Sequence, residues 1–122
     1  MKSILKGTVS IRQMAAQVHA NAKEKGFHPE GEALGDFVAK TTANIHAETS
    51  EFWEAFRNNT LDAHCDKWDK GCHLTCAEEE LADIVIRAFD TAERLGIDLE
   101  RAIVLKHSYN QTRAFRHGGK LA

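Results

Sequence analysis

Proline is nearly absent from this chain: Pro29 is the only one among 122 residues. Few positions therefore oppose a continuous helix. Alternation of apolar and polar residues at the period of a strand is also scarce, so a sheet is not expected. No apolar run approaches the ~20 residues that a membrane helix needs. Lys2 and Lys6 are followed by no long apolar core, so the start of the chain does not read as a signal peptide. Cysteine is sparse and odd in number, at three residues, with no secretory features beside it. The expectation is reduced thiols in a cytoplasmic protein. Net charge is small, at −2, which argues against a general coat for a nucleic-acid polymer.

What the chain does have is apolar content, 43% of its residues, enough for one packed core. Its periodicity is helical. Ser10-Ile11-Arg12-Gln13 fits a capping box at the start of a first helix. Ile11, Met14, Ala15, Val18 and Ala22 then share one face, and Gly26 ends the helix. A second, long helix is expected over 32–57, with Leu34, Val38, Thr41, Ile45, Phe52, Ala55 and Phe56 inward. A loop over 58–75 carries much of the Asp, Lys, His and Cys content. A third helix is expected over 76–95, with Leu81, Ile84, Val85, Ala88, Ala92 and Leu95 inward, and Gly96 terminating it. Asp98 reads as the N-cap of a fourth helix, 99–113, with Ile97 as a hydrophobic staple. The tail, about 114–122, is basic and expected to be mobile. No internal repeat and no second domain are evident over 1–122, and the expected architecture is a four-helix bundle.

Charge is unevenly placed. From Arg101 onward there are five Lys or Arg residues and no Asp or Glu, whereas 48–100 is rich in carboxylates. An acidic middle with a basic end suits a site binding cations and phosphates together, although a solvated acidic face would give the same composition. Glu48 lies three residues after Ile45 and four before Phe52, on the stripe that faces the core. Glu51 is one turn further on. Glu80 and Asp83 repeat the spacing on the third helix, flanking Leu81 and Ile84. Buried carboxylates are costly without a cation, and oxygen-only ligands favour Mg2+ or Mn2+ over zinc. By itself Glu-x-x-Glu is a weak pattern. Glu54, Glu78 and Glu79 read as solvated.

Glu48-Thr49-Ser50-Glu51 followed by Glu80-Leu81-Ala82-Asp83 resembles the paired acidic signature of the MazG-type all-α nucleoside triphosphate pyrophosphohydrolases. The likeness extends over about 11–120. It implies a helical bundle that assembles as a dimer or dimer of dimers. It implies Mg2+, or Mn2+ in its place, held by Glu48, Glu51, Glu80 and Asp83. It implies hydrolysis of a (d)NTP to a monophosphate and pyrophosphate, in nucleotide-pool house-cleaning. Lys106 and Asn110 match the phosphate-holding lysine and asparagine of the family's last helix, and Arg113 follows in register. At i, i+4 and i+7 the three form one polar line, expected to point inward below Ala102 and Ile103. Arg116 and Lys120 are candidates to close over phosphate. Phe27 and His28 stand where relatives often place aromatic residues against the base, and Trp53 and His46 are further candidates. One position departs from the pattern: Ala47 stands where many relatives have a glutamate that positions the attacking water.

Other readings stay open. Ala47 is compatible with a member that binds nucleotides without cutting them. Cys65, Cys72 and Cys76, with His64 and His73, invite a zinc reading, but C-x6-C and C-x3-C are not the usual C-x2-C knuckle. A di-iron bundle requires Glu-x-x-His pairs, and neither Glu48 nor Glu80 has a histidine three residues on. A non-enzymatic helical interaction module would need no inward acids on two helices.

Overall fold

The computed structural model of the chain describes residues 8–64, 73–119 and 121. Four helices account for most of it: α1 (Ile11–Glu24), α2 (Leu34–Arg57), α3 (Cys76–Arg94) and α4 (Leu99–Thr112). A single turn, α5 (Arg116–Gly119), follows where a mobile tail was expected. Among the described residues there is no strand, only an isolated antiparallel bridge between His64 and Thr75. None of these helices is long and apolar enough to cross a membrane.

Helix ends follow from local chemistry. The Ser10 hydroxyl accepts from the Gln13 amide at 3.0 Å, and the Gln13 side chain accepts from the Ser10 amide at 2.8 Å. Thr75 and Glu78 make the same reciprocal box at the start of α3. These bonds hold the Glu78 carboxyl below its usual range. Gly26 and Gly96, at φ of 85° and 70°, turn the chain after α1 and α3 in the left-handed region that costs other residues more. The Asp98 carboxylate caps α4 through the Arg101 amide at 3.1 Å. Arg12 of α1 also grips Asp98 at 2.9 Å and Glu100 at 2.7 Å, tying the starts of α1 and α4 together.

α3 is the central element, packed against α2 on one side and α1 on the other. Among the described residues the buried apolar ones are few: Ala15, Phe37, Ala55, Phe89 and Ala92. The inward stripe expected for α2 is covered in part: Ala55 is buried and Thr41, Ile45 and Phe52 are half-buried. Phe37 is buried at 1% exposure, whereas Leu34, Val38 and Phe56 are exposed. On α3, Ala92 is buried and Ile84 and Ala88 are half-buried as expected, Leu81, Val85 and Leu95 are exposed, and Phe89 is buried in addition. The difference has a geometric cause: α2 meets only α3 to any substantial extent among the described residues, so much of its apolar surface has no partner. α4 departs further from a bundle. Its substantial contacts are with α1, and every residue from Arg101 to Thr112 is exposed, including Ile103, Val104, Leu105 and Tyr109.

Two outcomes follow from this packing. Phe37→Ala is expected to cost about 3–5 kcal/mol in denaturant melts, the range for a buried aromatic truncated to alanine. Asp98→Ala is expected to destabilise the chain near neutral pH. The Asp98 carboxyl is held below its usual range by the Arg101 amide and by Arg12. Its contribution is therefore present above the ordinary carboxylate pKa of about 4 and fades as pH falls through the lower folded value. Thermal melts of the two proteins should differ at pH 7 and converge in acid.

Candidate metal centre

Glu48 lies in the second half of α2, on the face covered by α3, and is 8% exposed. Glu80, in the second turn of α3, is 5% exposed, and Asp83, one turn on, is half-buried. One carboxylate oxygen from each of the three lies within 4.8 Å of the others. The sequence pairs therefore do converge across the α2–α3 seam, three acids out of the four. Glu51 is exposed and stands outside this group.

Arg87, which the sequence reading did not single out, answers part of this charge. Its Nε donates to Glu48 Oε1 at 2.9 Å. It sits four residues after Asp83 and seven after Glu80, so helical spacing alone puts it on the acidic face of α3. The other oxygen of Glu48, Oε2, is buried and accepts no hydrogen bond. A buried carboxylate oxygen without a donor is costly, and a hard cation is the ligand that would satisfy it without a proton. The donor set, carboxylate oxygens alone, fits Mg2+ or Mn2+ better than a softer ion.

Glu79, expected to be solvated, is buried at 8%. The chain from Leu61 to Ala63 folds back over the start of α3, where Cys76 and Ala77 donate to Ala63 and Leu61 at 2.9 and 3.1 Å. Glu78 is exposed as expected, but it caps the helix.

The other predicted site residues are dispersed. Lys106, Asn110 and Arg113 do lie on one line of α4 and its end, but Lys106 and Asn110 are exposed rather than inward, because α4 packs on little besides α1. The Lys106 ammonium and the Arg113 guanidinium flank the Tyr109 ring at 4.8 and 5.7 Å. Arg116 is exposed beside the Phe115 ring. Lys120, Cys65 and Cys72 lie outside the described residues. Phe27 is exposed, but the His28 side chain is 8% exposed and engaged with Asp90, so it does not offer a free face to a base. Trp53 and Phe56 form an exposed stacked pair, 5.5 Å apart. His46 is exposed.

Removing the cation from the Glu48–Arg87 pair tests how far the seam depends on it. Arg87 is partly exposed, so Arg87→Met is expected to cost about 1–2 kcal/mol in urea melts, less than a fully buried pair. Adding Glu48→Gln should recover most of that loss, since no buried charge would then be stranded. Simple addition of the two losses would show that the pair is uncoupled.

No family model, curated protein or solved structure matches this chain.

Proposed function

We propose that this chain is a Mg2+-dependent nucleoside triphosphate pyrophosphohydrolase of the MazG type, releasing a monophosphate and pyrophosphate. The observation that carries the proposal is the convergence of Glu48, Glu80 and Asp83, two of them buried, with an unsatisfied oxygen on Glu48. A purely structural acid pair does not need three carboxylates gathered under a helix seam. The resemblance of the two acidic motifs to that family supplies the reaction.

In this reading Glu48, Glu80 and Asp83 hold the ion, with Glu51 one turn further along α2 at the exposed side. Bound magnesium supplies charge neutralisation on the phosphates and a more acidic water. Lys106, Asn110 and Arg113 bind phosphate oxygens, and Ala47 leaves proton removal from water to the remaining acids. The acids lie on the α2–α3 seam and the cationic line lies on α4, which packs on α1. Pairing of two or more copies of the chain would bring them together. The exposed apolar residues of α2, α3 and α4, among them Val38, Trp53, Leu81, Val85 and Val104, favour such pairing.

Incubation with each common dNTP and NTP, with and without Mg2+, followed by ion-exchange separation, tests the reaction. Monophosphate plus pyrophosphate is the expected product pair. Glu48→Gln and Asp83→Asn should each lower turnover by at least about a hundredfold, with helical circular dichroism retained. Diphosphate plus phosphate would refute the assigned bond, and turnover near wild type in either variant would refute the site. Light scattering should give a mass of two chains or a multiple of two.

A further inference from the structure

A second cluster lies at the other end of the same face of α3. Asp90 follows Asp83 by seven residues, two helical turns, or about 10.5 Å along the axis. Its Oδ1 lies 2.7 Å from His19 Nδ1 on α1 and 2.8 Å from His28 Nε2 in the turn between α1 and α2. The three side chains are mostly covered, at 19%, 8% and 20% exposure for His19, His28 and Asp90. The two imidazoles meet edge to face at 4.7 Å, and His28 is backed by Phe37, its ring centre 5.6 Å away.

The charge is unbalanced. Among the described residues Asp90 meets the two imidazoles and no arginine or lysine, so with neutral histidines the cluster holds a net negative charge under cover. The Nδ1 of His28 is buried and has no hydrogen-bond partner. In the metal-free cluster the Asp90 carboxylate, 2.8 Å away through both oxygens, makes His28 Nε2 the N–H donor. A cation held between these atoms would take the place of that proton, leaving the ring protonated on Nδ1 and the Nε2 lone pair on the ion.

We propose that His19 Nδ1, His28 Nε2 and an Asp90 oxygen form a second metal site, for a borderline divalent ion of the zinc class. Two imidazoles and one carboxylate are a zinc donor set, with a fourth position left for water. Their ligand atoms already lie within 4.8 Å of one another. Bonds of about 2.0–2.2 Å at a tetrahedral angle set ligand atoms roughly 3.3 Å apart, so each histidine nitrogen must draw back from Asp90 Oδ1 by only about half an ångström. Nitrogen donors separate this site in preference from the all-oxygen group at Glu48, Glu80 and Asp83. Thus one helix face would sort two classes of cation, the harder toward its start and the softer toward its end. The softer ion would clip α1, the following turn and α3 together. This inference does not depend on the proposed hydrolase activity.

The test is titration of the full-length, metal-stripped chain with Co2+ in excess Mg2+, followed by displacement with Zn2+. The expected result is about one tightly bound Co2+ per chain, with tetrahedral ligand-field absorption and no thiolate-to-cobalt charge transfer. Asp90→Asn and His19→Gln should each weaken binding by at least about tenfold. Both variants spare the packing of His28 on Phe37, and circular dichroism checks their fold. Cys76→Ser should bind as the wild type does. Absence of tight Co2+ and Zn2+ binding overturns the proposal. So does binding that survives both Asp90→Asn and His19→Gln, or a charge-transfer band that vanishes in Cys76→Ser, which would assign the ion to the cysteines.

Discussion

A carboxylate enclosed between two helices must be answered by positive charge, and Glu48 is answered in part by Arg87 across the α2–α3 seam. The apolar core beside it is small, built largely from three alanines and two phenylalanines. Such a core can hold helices together but discriminates weakly among their sliding positions. Directional polar contacts supply what it lacks. The Glu48–Arg87 bond, the Thr41–Thr91 hydroxyl pair and the His19–Asp90 contact each link α3 to a neighbour at one height. Their geometry is satisfied in one register, and a shift by a residue would leave buried charge unpaired.

α3 is thereby the element on which the chemistry is written. Glu80, Asp83, Arg87 and Asp90 follow at intervals of three and four, forming a polar line down a helix that also contributes Phe89 and Ala92 to the core. Because α1 and α2 flank it, residues distant in sequence reach that line from both sides: Glu48 from α2, His19 from α1. One helix face then meets different partners at different depths, which is how a chain of this size can present separate polar environments.

Helix starts and stops were legible because their signals are local. Ser10 with Gln13, Asp98, Gly26 and Gly96 do in the structure what their neighbours in sequence imply. The acidic motifs were legible in the same way, since spacing of three residues fixes a shared face. What could not be read was which apolar face would find a partner. Leu34, Val38 and Phe56 obey helical periodicity as well as Phe37 does, yet only Phe37 is enclosed. Periodicity states that a stripe exists and is silent about what covers it. Lys106 and Asn110 were expected to face inward for the same reason, and among the described residues both are exposed. The His19–His28–Asp90 group was illegible for another reason. Its members are 71 and 62 residues apart from Asp90, and no local pattern joins them.

The attachment of α4 has a mechanical consequence. The helix is fastened at its first turn, where Asp98 and Glu100 meet Arg12, and it extends 14 residues beyond Asp98. At 1.5 Å per residue it is a lever about 21 Å long. Tilting it by ~10° about the fastened end would carry Asn110 and Arg113 through roughly 3–4 Å, more than a hydrogen bond tolerates. A guanidinium at the opposite end of the helix thus sets the aim of side chains it never touches.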